Sequence, residues 1–208
     1  EGLVDYKGLK ADRADLERYI GALQKTSPHK EPDLFPTSDH ALAYWINAYN
    51  ALVLYAVSEQ PALRSVHDDK NNFFYFTEYE LGGETMSLYH LENEVVRKEF
   101  KEPRIHFALN CASASCPQLP AEAFPPEKLQ EQLDRESRAF CQRPDSFTYE
   151  NGVAMASQIF EWYADDFAGG AVPFCRAHGR DDVPENAPVE FIPYDWTLTA
   201  QPGRALFE

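Results

Sequence analysis

The sequence predicts a single α+β domain in which a central apolar helix packs on a small antiparallel sheet. Of its 208 residues, 44% are hydrophobic and 25% are charged, which is the balance of a chain that buries a core. Segments with helical spacing of apolar residues alternate with short segments of strand-like alternation, without repeats or low-complexity tracts. A chain of this length forms one ordinary domain, so we assign residues 1–208 to one unit.

The longest predicted helix runs from about residue 40 to residue 59. A Thr-Ser-Asp run at 37–39 supplies residues that can cap its start, and Pro61 follows its end. The segment is apolar on almost every side, which is typical of a helix packed against several neighbours. We therefore expect this helix to lie at the centre of the fold.

The remaining elements are shorter. A two-residue Asn151-Gly152 turn between alternating segments predicts a β-hairpin. Apolar spacing and turn residues predict helices over 11–24, 89–100, 127–141 and 157–167, a strand-like aromatic segment over 73–81, a hairpin over 147–155, a strand over 104–110, and largely irregular chain in the last forty residues.

The net charge excludes two classes of partner. The chain has 34 acidic and 19 basic residues, giving a formal net charge of −15. Such a surface repels phosphate backbones and anionic lipid headgroups, so we expect no nucleic-acid or membrane partner. The longest apolar run, Ala51 to Val57, is far shorter than the ~20 residues of a membrane span.

Four cysteines leave the redox state open. They fit one or two disulfides, or one reactive thiol with three inert ones, at Cys111, Cys116, Cys141 and Cys175. In an oxidising compartment Cys141 and Cys175 can pair with each other. The chain begins with Glu1 rather than Met, from which we expect a processed N-terminus.

The segment from His106 to Cys116 carries the strongest chemical signal. A nucleophilic thiolate needs a lowered pKa, which a nearby His and free backbone N–H groups supply. Here His106 lies on the polar face of the predicted strand, and Cys111 and Cys116 flank a run of small residues. Small residues leave the backbone accessible, as an oxyanion site requires.

The same residues allow two other interpretations. Four residues separate Cys111 from Cys116, a spacing that a turn can bring within disulfide reach. Together with His106 they offer three metal ligands, but the spacing matches no common zinc pattern. We therefore assign no metal and no cofactor.

Further polar residues occur among apolar ones. Asn47 and Asn50 share one face of the central helix, so burial requires partners for both amides. They either tie the helix to a neighbouring backbone or orient a catalytic group. Glu92 lies in the first turn of its helix, and Asp195 lies between two aromatic residues and needs a partner such as His or Arg.

Five ordered segments resemble one known family. AYWINAYNALVLYAV resembles FWINLYNALVLHA, the hallmark of the domain of unknown function 547, and EPRIHFALNCASASCPQL resembles its DPRIHFALNCGAKSCPPL. The other three segments are MSLYHLENEVVR, SQIFEWYADDF and IPYDWTL. The resemblance spans about residues 3–199.

The resemblance implies little about activity, because the family is named for having none assigned. Similar bacterial members often look exported, which implies a secreted or periplasmic protein, and multidomain relatives with glutaredoxin-like modules suggest thiol or peptide chemistry. Asn93 stands where many relatives carry His, a change that would impair catalysis if that His is needed. The positions that match the family are Asn47, Asn50, Glu92, His106, Cys116 and Asp195.

The order of elements is similar to that of papain and the transglutaminases, where an apolar central helix precedes a short sheet carrying His. In that group, however, the nucleophilic Cys begins the helix and precedes the His. Here both candidate cysteines follow His106. The predicted site is therefore a rearranged one.

These observations lead to one functional hypothesis and one alternative. In the first, the protein is a cysteine-dependent hydrolase or acyltransferase for peptide-like or thiol-containing substrates. Cys116 is its nucleophile, His106 its base, and Asp195 or Glu92 orients the imidazole, while Asn47 and Asn50 position the site. In the alternative, it is a non-catalytic binding module of the cell envelope, with a structural disulfide and aromatic residues at 73–79 and 194–196 that hold a peptide or protein.

Overall fold

Three helices begin the chain, and the third forms the centre of the molecule. The computed structural model describes residues 2–207. Helix α1 spans Tyr6–Ala11, α2 spans Ala14–Leu23 and α3 spans Ser38–Glu59. The Thr37 side chain caps α3 by accepting a hydrogen bond from the backbone N–H of His40. The prediction of a long central helix is confirmed.

Helix α3 is buried because it packs against helical segments on several sides. Its neighbours include α1, α2 and the later segments 91–96 and 129–142. Trp45, Ile46 and Tyr49 are each at most 1% exposed, so the aromatic and aliphatic faces of the helix both contribute to one core. The first hairpin adds Leu81 and Met86 to that core.

The aromatic segment before that hairpin is helical, contrary to the prediction. Residues Asn71–Phe76 form a π-helical segment, and only Glu78–Leu81 forms a strand, β1. Strand β1 pairs antiparallel with β2, Glu84–Ser87, through a turn at Gly82 and Gly83. Gly82 has a positive φ and a Cβ there would collide with the Ser27 side chain, so the turn requires glycine.

The helix predicted over 89–100 is present but irregular. It begins as α4, Leu88–His90, continues as a π-helical turn over Leu91–Val96, and ends as α5, Arg97–Phe100. Single π-helical turns within α-helices are frequent at functional sites. This one places Glu92 on the inner side of the helix, against two tyrosine hydroxyls.

The prediction of a strand over 104–110 is wrong. Pro103–Phe107 is a 3-10 helix, begun by proline and capped by Glu102, which accepts a hydrogen bond from the Arg104 N–H. Alternation over seven residues does not distinguish a strand from a tight helical turn whose whole length is buried. Ile105, His106 and Phe107 are all buried here.

The second half of the chain forms a smaller α+β layer. Helix α6, Leu129–Gln142, and the hairpin of β3, Phe147–Glu150, with β4, Val153–Ser157, confirm the predictions, including the Asn151-Gly152 turn. Of the helix predicted over 157–167, only α7, Ile159–Trp162, and the 3-10 turn Ala164–Asp166 are present. The chain after 167 is less irregular than expected, with α8 at Ala171–Ala177 and β5 at Val189–Ile192, parallel to β4.

The 3-10 helix Pro103–Phe107 lies between two cores. Ile105 belongs to the core around α3, whereas Phe107 packs into a second core of phenylalanines. Its ring centroid lies 4.7 Å from that of Phe140 and 5.2 Å from that of Phe174. Both sides of this short helix are therefore fixed by packing, and His106 lies between them.

A disulfide joins Cys141 at the end of α6 to Cys175 in α8. Both cysteines are buried in the second core. Pairing of these two residues was one of the alternatives left open by the sequence. Within residues 2–207, no helix combines the length and the hydrophobicity needed to cross a membrane.

We expect loss of this disulfide to lower the free energy of unfolding by about 3 to 4 kcal/mol, because it closes a loop with a sequence separation of 34 residues. Urea unfolding of the protein with and without dithiothreitol measures the difference. The double variant Cys141→Ala, Cys175→Ala is the control and should not respond to reductant. An unfolding midpoint of the native chain that is equally insensitive to reductant would contradict the assignment.

Candidate functional site

A cavity of about 410 Å³ opens between the two cores, and its lining is rich in aromatic side chains. Three of the predicted site residues line it: Glu92, His106 and Cys116. Asn47, Asn50 and Asp195 do not. Cys111, which the prediction left as a second candidate, does line it.

The two cysteines of the cavity are in contact and carry free thiols. The backbone N–H of Cys111 donates to the Cys116 sulfur over 2.9 Å. The Cys111 sulfur lies 3.0 Å from the Ser113 hydroxyl and 3.5 Å from the Tyr194 hydroxyl. Cys116 is 5% exposed, and Cys111 is half-buried and more accessible.

The surroundings of the two thiols shift their acidities in opposite directions. A hydrogen bond from the Cys116 thiol, with further hydrogen bonds from Ser113 and Tyr194, lowers the pKa of Cys111 to about 7 despite its burial. Burial raises the pKa of Cys116 well above its usual range, and the adjacent Cys111 adds to the shift. These shifts favour ionisation of Cys111 over Cys116, whereas the sequence analysis chose Cys116 as the nucleophile.

Asn110 shapes the loop that brings the thiols together. Its side-chain N–H donates to the Pro117 carbonyl over 2.6 Å, and its side-chain oxygen accepts from the Ala112 N–H over 2.9 Å. Ala112 has φ of +66°, in the left-handed region that closes tight turns. The loop is therefore bridged at both ends.

Asn50 holds the preceding segment onto helix α3. Its side-chain N–H donates to the Ala108 carbonyl over 2.9 Å, and its oxygen accepts from the Asn110 backbone N–H over 2.8 Å. Asn47 makes the same pair of bonds to the carbonyl and N–H of Phe124. Of the two interpretations left open for these amides, the structure shows the tie to neighbouring backbone.

His106 is held by a carboxylate that the sequence did not identify. Its Nε2 lies 2.6 Å from Oδ2 of Asp166, which also accepts a hydrogen bond from Nε of Arg97 over 2.6 Å. The hydrogen bond from His106 and that from Arg97 lower the pKa of Asp166. The carboxylate at the His106 ring is thus Asp166, whereas the sequence analysis proposed Asp195 or Glu92 for this position. The available signal was the acidic pair within the family-like segment SQIFEWYADDF.

Glu92 joins the histidine network indirectly. It accepts hydrogen bonds from the hydroxyls of Tyr49 over 3.1 Å and Tyr163 over 2.6 Å. The Tyr163 ring stacks on the His106 ring at 4.1 Å, and the Arg97 guanidinium lies 4.7 Å from the Tyr163 ring centroid. Burial and the Glu92 charge raise the pKa of Tyr163, so Glu92 faces neutral phenols that donate to it. Glu92 thus fixes the ring that covers His106.

Asp195 is a structural residue on the surface. Its carboxylate accepts from the Thr197 N–H over 2.9 Å, and hydrogen bonds from the Thr197 side chain and backbone lower the pKa of Asp195. Its backbone N–H donates to the Ser115 hydroxyl over 2.8 Å, and its carbonyl accepts from the Ser115 N–H. Asp195 therefore fastens the cysteine loop to the C-terminal segment and takes no direct part in the cavity.

Asn93, which stands where many similar proteins carry His, lines the cavity. Its side-chain oxygen accepts from Nη1 of Arg97 over 2.6 Å, and its N–H donates to the Tyr89 carbonyl. Asn93 thereby positions the arginine that holds Asp166. Over the described residues, no group of three or more His, Cys, Asp or Glu side chains is arranged to hold a metal ion.

We expect Asn50→Ala to lower the free energy of unfolding by about 3 kcal/mol, because the Ala108 carbonyl and the Asn110 N–H would stay buried without partners. Asn72, whose amide is exposed and donates to the Asp69 carboxylate, is the matched control. Its replacement by Ala should change stability by less than about 0.5 kcal/mol. Equal urea midpoints for the two variants would show that the Asn50 amide does not hold the loop.

The central part of the chain is similar to one protein family. A family model described as "Protein of unknown function, DUF547" matches residues 35–141, slightly more than half of the chain. The matched region runs from the start of α3 through the cysteine loop to the end of α6. No curated protein and no solved structure matches the chain. The chain belongs to the DUF547 family.

Proposed function

We propose that the protein is a cysteine-dependent hydrolase or acyltransferase in which Cys111 is the nucleophile. The observation that carries the proposal is that one cavity contains both an accessible thiol with a pKa near 7 and a carboxylate-bound histidine. A thiol of this pKa is about half ionised at pH 7, whereas an ordinary cysteine, with a pKa of ~8.5, is almost entirely protonated.

The proposed reaction begins when the Cys111 thiol gives its proton to His106 and the resulting thiolate attacks a carbonyl carbon. The new S–C bond forms as the C=O electrons move to oxygen, and collapse of this intermediate breaks the bond to the leaving group. The leaving group takes a proton from His106, whose Nε2 is held by Asp166 and whose Nδ1 is therefore the atom that exchanges protons. Water or an acceptor amine or thiol then attacks the thioester, gives its proton back to His106 and releases the thiolate.

Asp166 serves this reaction by stabilising the charged imidazole. A carboxylate in contact with one ring nitrogen fixes the ring orientation and the tautomer, and favours the imidazolium that forms during catalysis. Arg97 keeps Asp166 ionised, and Asn93 holds Arg97 in place. In this proposal Asp166 has the role that the sequence analysis gave to Asp195 or Glu92.

The lining of the cavity favours a peptide-like acyl group. Trp162, Tyr194 and Trp196 form a continuous aromatic wall, with ring centroids 4.6 to 5.4 Å apart. Aromatic walls with a few converging polar groups are typical of small-molecule sites. Lys70, whose amino group lies 5.3 Å from the Trp196 ring centroid, adds a positive charge that suits a substrate carboxylate.

A secreted or periplasmic location is part of the proposal. The Cys141–Cys175 disulfide supports it, because structural disulfides persist in oxidising compartments.

A non-catalytic peptide-binding module is the second candidate. It is favoured by the exposed aromatics beside the cavity, where Tyr75 and Tyr89 stack at 4.7 Å and are 41% and 42% exposed. Exposed aromatic side chains of this kind are frequent in recognition surfaces. A binding module would hold a peptide without forming a covalent bond to Cys111.

A covalent acyl intermediate separates the two candidates. We expect p-nitrophenyl acetate or a small acyl thioester to transfer its acyl group to the reduced protein, and peptide mapping to place the acyl group on Cys111. Cys111→Ala should abolish the adduct. Asp166→Asn should slow turnover by on the order of 100-fold, because His106 loses the carboxylate that favours its charged form.

The matched control is Asp182→Asn, an exposed aspartate that pairs with Arg180 away from the cavity. It should leave both acylation and turnover unchanged. Equal labelling of the native protein and Cys111→Ala, or an adduct on Cys116, would contradict the proposed nucleophile. Peptide binding without any adduct would favour the binding module.

A further inference from the structure

Acyl transfer uses one thiol, yet the cavity holds two in contact. Cys116 is almost fully buried behind Cys111, and its sulfur accepts the Cys111 backbone N–H over 2.9 Å. No step of the proposed acyl transfer uses the Cys116 sulfur as a reactant. A buried thiol held against an accessible nucleophilic thiol is the arrangement that resolves a mixed disulfide.

We propose that Cys111 and Cys116 form a thiol–disulfide exchange pair that reduces small disulfides in this cavity. Cys111 is the attacking sulfur and Cys116 the resolving sulfur. The inference rests on the nucleophile of the proposed function, but it requires neither an acyl substrate nor His106. It adds a second reaction to the same cavity.

The exchange is balanced without any further reactant. The Cys111 thiolate attacks one sulfur of a disulfide RSSR, so that a Cys111–SR bond forms, the S–S bond breaks and RS⁻ leaves. Cys116 then loses its proton and attacks the Cys111 sulfur, which forms the Cys111–Cys116 bond and releases the second RS⁻. The two departing thiolates take up the two protons of the original dithiol. The cysteines are oxidised and RSSR is reduced to two RSH.

The loop is already folded as ring closure requires. The Asn110 side chain bridges the Ala112 N–H and the Pro117 carbonyl, and the Cys116 N–H donates to the Ser113 carbonyl. The turn therefore presents the Cys116 sulfur to the Cys111 residue before any reaction. The two thiols also hydrogen-bond to each other, so their sulfurs are neighbours before any reaction, as disulfide formation requires.

Cys111 has the environment of an attacking sulfur and Cys116 does not. Ser113 and Tyr194 hydroxyls lie at hydrogen-bond distance from the Cys111 sulfur and support its negative charge. The Cys116 sulfur is oriented toward the Leu109 carbonyl at 3.8 Å, which opposes ionisation. A small disulfide entering the cavity thus meets Cys111 first.

The lining indicates the class of disulfide. The aromatic wall formed by Trp162, Tyr194 and Trp196 accepts the apolar part of a ligand, and the Lys70 amino group beside Trp196 attracts a carboxylate. A peptide disulfide with free carboxylates, of the size of glutathione disulfide, combines both properties. The strongly acidic surface, with a net charge of −15, makes a large acidic protein disulfide a poor substrate.

The test equilibrates the reduced protein with buffers of increasing ratio of glutathione disulfide to glutathione, quenches with acid and alkylates the remaining thiols. We expect the native chain to lose alkylation at Cys111 and Cys116 together, by at least about tenfold, and to regain it in dithiothreitol. Cys116→Ser should stop at a glutathione adduct on Cys111, and Cys111→Ser should form neither product. The buried Cys141–Cys175 disulfide is the internal reference.

A native chain that ends as a glutathione adduct, without bridging to Cys116, would overturn the proposed exchange, as would full alkylation at every ratio. Acyl labelling of the same reduced sample is measured in parallel. Acyl labelling of Cys111 without a Cys111–Cys116 disulfide would contradict the exchange and support acyl transfer. A Cys111–Cys116 disulfide without acyl labelling would support the exchange and contradict acyl transfer.

Discussion

The paired hydrogen bonds of one buried amide, Asn50, determine the arrangement of the cavity. In a helix that is otherwise almost entirely apolar, this side chain holds the Ala108 carbonyl and the Asn110 N–H against α3. An unpaired buried amide costs several kcal/mol, so the segment and the helix stabilise each other's positions. Because Asn110 is fixed in this way, its own side chain can close the loop that carries Cys111 and Cys116.

The chemistry of the cavity follows from how burial and hydrogen bonding compete at each ionisable group. At Cys116 burial dominates and the thiol stays protonated, whereas at Cys111 hydrogen bonds outweigh burial and the thiolate is favoured. Burial and the neighbouring Glu92 keep Tyr163 neutral, whereas hydrogen bonds from His106 and Arg97 keep Asp166 ionised. Neighbouring groups in one cavity therefore hold opposite protonation states at neutral pH, and an acid–base or exchange reaction needs that difference.

The sequence predicted the elements whose signal is local. The apolar run of α3 and the Asn-Gly turn of the second hairpin can each be recognised from a short stretch of neighbouring residues. The sequence failed where the structure of a segment depends on residues far away in the chain. Strand β5 is short and exposed, and its partner β4 lies more than thirty residues earlier. Within the described residues, Pro103–Phe107 pairs with no strand and forms a 3-10 helix instead. The sequence pointed to the cysteine–histidine segment, and His106, Cys111 and Cys116 do line the cavity. The difference between the two cysteines depends on burial, and Asp166 is 60 residues from His106, so neither could be read from the segment alone.

The catalytic and exchange reactions both depend on the difference in acidity between the two thiols, and the absorbance of the thiolate measures that difference directly. The pH titration of the reduced native protein should show Cys111 ionising with a midpoint near pH 7. Cys111→Ala should lose this transition, and Cys116→Ala should move it toward the ordinary ~8.5, because the hydrogen bond that stabilises the thiolate is gone. A midpoint at the ordinary value in the native protein, or a low transition that survives in Cys111→Ala, would show that Cys111 is not the more acidic thiol.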